Sequence, residues 1–202
     1  MSDQLRSPTV SLGIHLEFSN MDHGWSDLNL RIGDERLRIE SFSDIENSFH
    51  DIALAGVSAA SGGGQALCQF SLNGEPTEWR WTINSLFRKG LGYYSHVVVE
   101  EFPGDSFFSI DGEGRYQTTR TAESEVIFNA FCSSEELAVA IRRAFLPLEK
   151  DGIIEFEKKW GLNPFPTRTL AALDAALDTP RRWFEPELHS GPYDVISEKR
   201  EQ

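Results

Sequence analysis

Hydrophobic and polar residues alternate strictly at the start of the chain. Within residues 10–18, every second position is hydrophobic and the positions between are mainly polar. This period of two is typical of a β-strand with one buried face. The alternation resumes in segments 28–32 and 37–39, after turn-forming residues 20–24 and 33–34. Three strands with such short links predict an antiparallel meander.

The pattern changes to helical spacing after the third segment. Ser43-Asp44-Ile45-Glu46 has the form of a capping box, in which a serine and a glutamate satisfy the first backbone amides of a helix. Hydrophobic residues at helical spacing then predict a helix as far as about residue 61, where three glycines (62–64) end it. These glycines do not predict a phosphate-binding loop, since such a loop needs a Lys-Ser or Lys-Thr step opening a following helix.

A second set of strands is predicted at 66–72, 77–84, 93–102 and 123–131. Trp79 and Trp81 share one strand face, and we interpret them as core residues rather than as an exposed binding platform. Val97-Val98-Val99 predicts a strand that is covered on both faces. The glycine-rich stretch 103–120 is interpreted as a long loop or a ragged hairpin.

Helices dominate the remainder. Ser133-Ser134-Glu135-Glu136 is a second capping box, and it opens a helix that Asp151-Gly152 closes. Residues 153–160 fit either a short helix or an extended segment, and Thr167 is predicted to cap a helix that Pro180 stops. The fold class is therefore α+β, with a twisted, mainly antiparallel sheet and helices packed on one face. We expect a disordered segment (1–8), one domain (9–180) and a C-terminal extension (181–202).

The composition and the net charge limit the classes of binding partner that the sequence favours. Among 202 residues, the 14 Phe and 5 Trp can fill a sizeable core, and 32 acidic against 19 basic residues give a net charge of -13. Nucleic acid and anionic membranes need clustered Lys and Arg, so both are disfavoured. The N-terminus lacks a secretory signal and no apolar run approaches bilayer length, which predicts a cytoplasmic protein. An acidic surplus that only aids solubility remains an alternative.

Few residues suggest site chemistry. Cys68 and Cys132 predict free thiols, although one disulfide stays possible if their strands are neighbours. His96 and Cys132 could form a thiol–imidazole site, but separate placement is favoured. The segment 111–114 fails as a calcium loop because Ala122, not a glutamate, stands at the twelfth position. We therefore expect no enzymatic activity, no cofactor and no metal.

One acidic run is the best candidate for a partner-binding surface. Its carboxylates have no basic residue among them until Arg115, although a merely solvated face would show the same pattern. The run contains Glu100, Glu101, Asp105, Asp111 and Glu113.

The order of these features resembles that of the α+β immunity proteins that bacteria encode beside polymorphic and contact-dependent toxins. The resemblance covers residues 9–148 and rests on the opening strand, the helix capped by Ser43, the glycine break and the Phe70-to-Trp79 segment with its Glu-Pro turn. It implies a non-enzymatic inhibitor that binds the catalytic domain of a toxin. A basic toxin acting on nucleic acid would suit the acidic charge.

Two alternatives remain. A small enzyme or ligand-binding protein could assemble its site from residues that are distant in sequence. A structural subunit could instead bury its aromatic strand faces between copies, and the oligomeric state is open.

Overall fold

The computed structural model describes the central part of the chain. The described residues are 13–61, 66–75, 77–88, 92–103, 107–110, 116–119 and 123–179. The two terminal segments predicted at 1–8 and 181–202 lie outside these ranges.

The predicted meander is a three-stranded antiparallel sheet in the order β1-β2-β3. Its strands are β1 (Ile14–Asp22), β2 (Trp25–Ile32) and β3 (Glu35–Ser43). The alternating hydrophobic residues, among them Leu28 and Ile39, form its buried inner face. The polar residues between them form an exposed outer face, as the period of two predicts.

The first helix begins later than the sequence predicts. Strand β3 includes Ser43, and α1 (Ser48–Ser61) starts only after a turn, so the capping box at Ser43 is wrong. The carboxylate of Asp44 accepts a hydrogen bond from the backbone N–H of Leu162 at 2.9 Å instead. This long-range contact holds Asp44, which lies inside the predicted capping box, in the turn before α1. The helix ends at Ser61, immediately before the three glycines.

A four-stranded antiparallel sheet carries the second set of strands, in the order β4-β5-β6-β9. Residues 107–110 and 116–119 pair as a separate two-stranded antiparallel sheet, so the described part of the glycine-rich stretch agrees with the hairpin interpretation. The strands are β4 (Ala66–Gly74), β5 (Thr77–Arg88), β6 (Gly92–Phe102), β7 (Phe107–Ile110), β8 (Tyr116–Thr119) and β9 (Glu125–Ser133).

Three helices follow β9: α2 (Ser134–Asp151), α3 (Ile153–Trp160) and α4 (Thr167–Asp178). Ser133 caps α2 as predicted, because its hydroxyl accepts from the N–H of Glu136 at 3.3 Å. The ambiguous segment after Gly152 is helical and buries Trp160. Thr167 is the first residue of α4 rather than its cap, and no side chain caps that helix.

The α+β class and the antiparallel pairing are confirmed, but the strands form two main sheets instead of one. The two sets are connected by α1 rather than by a hairpin, so β3 and β4 are not paired. The inner faces of both sheets pack with α1 and α2 around one core. Phe49 lies at its centre, with ring centroids 4.5 Å from Trp160 and 4.6 Å from Phe18. A residual cavity of about 20 Å³ is lined by both sheets and both helices.

Candidate partner-binding surface

The four-stranded sheet places its aromatic residues on both faces. Trp79 and Trp81 point inward and are 8 % and 4 % exposed, which confirms that they are core residues. Val97 and Val99 are fully buried on the same inner face, whereas Val98 on the outer face is only partly buried. The expectation of a strand covered on both faces is corrected for Val98, and among the described elements α1 and α2 pack against the inner face.

The two described members of the acidic run point to opposite faces. Successive residues of a strand alternate across the sheet, so Glu100 faces outward and Glu101 faces inward. Glu101 accepts a hydrogen bond from the indole Nε1 of Trp79 at 2.8 Å. Glu100 accepts one from the hydroxyl of Ser124 at 3.2 Å. Glu101 therefore holds a core side chain, and Glu100 is the residue that can meet a partner.

The other three members of the run lie outside the described residues. Asp105, Asp111 and Glu113 precede and follow β7 in the chain. Their membership of a shared acidic surface stays a prediction.

Exposed hydrophobic residues accompany Glu100 on the outer face. Val126 is the cross-strand partner of Glu100 and is 53 % exposed, and Phe131 further along β9 is 55 % exposed. The ring of His96 stacks on Phe131 with centroids 4.2 Å apart and planes 9° apart. His96 also donates from Nε2 to Oδ1 of Asn129 at 2.8 Å. These contacts hold the Phe131 ring against the sheet and leave much of it open to solvent.

We call this set the Glu100 surface. It consists of Glu100, His96, Val126, Asn129 and Phe131. Glu100 and His96 are four residues apart on β6, so the surface extends for about 13 Å along the strand. Sequence reasoning missed Val126 and Phe131, because β9 carries hydrophobic residues on both faces and its alternation does not indicate which face is open.

The cysteine chemistry considered from the sequence is not present. Cys132 lies on the inner face of β9 opposite Ser95, whereas His96 lies on the outer face, so the thiol–imidazole pair is excluded. Burial, and secondarily the charge of Glu136, raises the pKa of the Cys132 thiol to about 12. Cys68 and Cys132 occupy opposite edge strands, three strand spacings or about 14 Å apart, and both are free thiols. A disulfide requires Cα atoms within about 7 Å.

A second acidic group lies at the start of α1. Burial is the main cause that raises the pKa of Glu46 and of Asp51, and the neighbouring charge of Glu78 raises that of Glu46 further. A side-chain hydrogen bond with Asn73 partly opposes the shift at Glu46. These carboxyl groups therefore carry their negative charge at an energetic cost to the fold.

The remaining observations concern metal binding, membrane-spanning helices and similarity to known proteins. Within the described ranges, no cluster of three or more His, Cys, Asp or Glu could hold a metal ion, and no helix is long and apolar enough to cross a bilayer. Comparisons with protein-family models, curated proteins and solved structures found no match to this chain.

Proposed function

We propose that this protein is a bacterial, cytoplasmic immunity protein that neutralises a cognate toxin by binding it. The observation that carries the proposal is the Glu100 surface, where exposed Val126 and Phe131 lie beside a carboxylate. Apolar anchors that charged groups surround are typical of the parts of interfaces that contribute most binding energy. The net charge of -13 supports a basic partner, since complementary potentials accelerate association.

In this proposal the protein inhibits the toxin by covering the surface of its catalytic domain. Phe131 and Val126 would be buried against the toxin's catalytic domain, and Glu100 would pair with a basic residue of the toxin. Because nucleic-acid-cleaving toxins present basic surfaces to phosphates, an acidic protein can occupy the same surface.

The test is binding to the protein encoded immediately upstream. Its toxic domain and the full chain are mixed, and association and dissociation rates are measured at increasing salt. We expect a one-to-one complex whose association slows as salt screens the charges. Absence of a complex, together with no protection of cells that express the toxin, would refute the proposed function.

A matched pair of variants tests the surface separately. Glu100→Lys with Phe131→Ala alters the Glu100 surface. Glu157→Lys with Ile154→Ala makes the same charge reversal and also truncates an exposed hydrophobic side chain to alanine, on α3. We expect about a hundredfold loss of affinity for the first pair, the scale of an interface hot spot. Equal losses for both pairs would reject the surface while leaving the function standing.

A further inference from the structure

The outer face of the three-stranded sheet carries a cluster of arginines in an otherwise acidic protein. Register places His15 opposite Arg31 and Arg31 opposite Arg36, so the three side chains form one row across β1, β2 and β3. All three residues are exposed. Glu17, Asn29 and Arg38 form the next row in the same way.

Two members of this face lack a counter-charge. His15 donates to Glu17 at 3.0 Å, and Arg38 pairs with Glu40 at 3.1 Å. Within the described part of the chain, neither Arg31 nor Arg36 forms an ion pair. Like charges directly opposite each other destabilise a sheet. The chain has more acidic than basic residues, yet no acidic residue stands opposite either arginine in the sheet register.

The rows form the floor of a shallow concavity of about 590 Å³. Three arginines and Glu17 line it, and Glu40 pairs with Arg38 at its margin, so the net formal charge is +1 with His15 counted as neutral. Asn29 adds a neutral amide donor beside the guanidinium groups. The lining residues are His15, Glu17, Asn29, Leu30, Arg31, Arg36, Leu37 and Arg38.

We propose that this concavity binds a compact anion that carries a phosphate group. Guanidinium groups match phosphate oxygens with paired N–H donors, and two adjacent unpaired guanidiniums balance a dianion. A phosphate monoester has about that charge at neutral pH. A long polyanion is disfavoured because the remainder of the protein would repel it. This inference is independent of the proposed toxin-binding function.

The experiment titrates the full chain and follows backbone amide shifts by NMR. Pyrophosphate represents a free inorganic anion with phosphate groups, adenosine monophosphate represents a phosphate ester, and a single-stranded oligonucleotide represents a long polyanion. The variant Arg31→Gln/Arg36→Gln removes the unpaired charges. The control Arg143→Gln/Arg168→Gln removes two exposed arginines from α2 and α4, so the net charge of the two variants is identical.

We expect pyrophosphate or adenosine monophosphate to shift amides of β1, β2 and β3 in the wild type. Each lost guanidinium should weaken binding about tenfold, and the control should bind like the wild type. Preference between the two probes identifies which source of phosphate fits. No saturable shift with either probe, equal weakening in the control, or tighter binding of the oligonucleotide would overturn the proposal. Both variants are checked for unchanged thermal unfolding, so that misfolding is distinguished from loss of the site.

Discussion

The outer faces of the two main sheets differ although one core supports both. The three-stranded face presents Arg31 and Arg36, which form no ion pair with the described residues, whereas the four-stranded face presents Phe131 and Val126 beside Glu100. Both faces are solvated sides of antiparallel sheets, where polar residues are the norm. The four-stranded face departs from that norm by exposing apolar residues, whereas the three-stranded face keeps polar residues but pairs two like charges, and this difference favours two different ligands.

The comparison also distinguishes the inner-face residues that stabilise the fold from the outer-face residues that are proposed to bind ligands. Both inner faces are continuous hydrophobic surfaces that pack on α1 and α2, so a substitution there should affect both outer faces together. A substitution on one outer face should affect that face alone, because distant sites act nearly independently. Four variants test how far the two sheets depend on each other, in order of expected effect.

Phe49→Ala should have the largest effect. The Phe49 ring contacts Phe18, Phe42 and Trp160, and removing it leaves a large cavity between the sheets and the helices. We expect the free energy of unfolding, measured in urea, to fall by about 3–5 kcal/mol, and both binding activities to weaken together. Leu162→Ala, at an exposed position, should change it by less than about 0.5 kcal/mol. A loss confined to one sheet would contradict the single core.

Asp27→Ala should act on the three-stranded sheet alone. The buried Asp27 carboxylate accepts from the backbone N–H of Ser41 at 2.9 Å and from Nδ2 of Asn20 at 2.7 Å. Asn20 and Ser41 have positive φ angles of 53° and 56°, and their hydrogen bonds to this carboxylate help to hold that backbone conformation. We expect a loss of about 2 kcal/mol because the backbone N–H of Ser41 and the amide of Asn20 lose a charged acceptor.

The measurement for Asp27→Ala is amide hydrogen exchange. Protection should fall in β1, β2 and β3 and remain in β5 and β6. Asp27→Asn is the control, since its amide oxygen can still accept from Ser41 and should keep much of the stability. Uniform loss of protection throughout the chain would mean that the two sheets do not open separately.

Glu101→Ala should have a smaller effect on the other sheet. The substitution removes the acceptor of the Trp79 indole N–H, which is nearly buried, so we expect a loss of about 1 kcal/mol. The indole resonance of Trp79 in an NMR spectrum should shift, and Glu101→Gln should reverse much of the loss by keeping one oxygen. Toxin affinity should stay near that of the wild type, since Glu101 faces inward. A loss as large as that of Glu100→Lys would place Glu101 in the interface.

The smallest expected effect is that of Glu46→Gln/Asp51→Asn on the pH dependence of the free energy of unfolding. Glu46 and Asp51 have pKa values above their ordinary values of 4.5 and 3.8, so the folded protein holds these protons more tightly than the unfolded chain. Their contribution is fully present below the ordinary values and is lost as the pH rises through the raised values. Glu46→Gln/Asp51→Asn should therefore be slightly more stable than the wild type at neutral pH. Urea midpoints with an unchanged pH dependence would contradict this.

Sequence reasoning predicted the elements well where one face alone is hydrophobic. The alternation at 28–32 and 37–39 predicted strands because only one face of the sheet could be buried. The cap at Ser133 was predictable for a similar reason, since its hydroxyl and the amide of Glu136 are three residues apart. Patterns that involve neighbouring residues are contained in the sequence itself.

Prediction was weaker where a distant residue competes for a side chain. Ser43 to Glu46 has every feature of a helix start, but Asp44 contacts the chain at Leu162, and no local pattern contains that contact. Glu100 and Glu101 formed one acidic candidate in the sequence, and the indole of Trp79 separated them. The open side of β9 was undetermined because both of its faces carry hydrophobic residues.

The sequence by itself determined the α+β class, most of the strands and the acidic surplus, because periodicity and charge depend on residue order and composition. The tertiary structure alone decided that the strands form two sheets, that Arg31 stands opposite Arg36 and that Phe131 is exposed. Register and burial depend on which distant segments pack together. Both candidate binding surfaces arise from that packing.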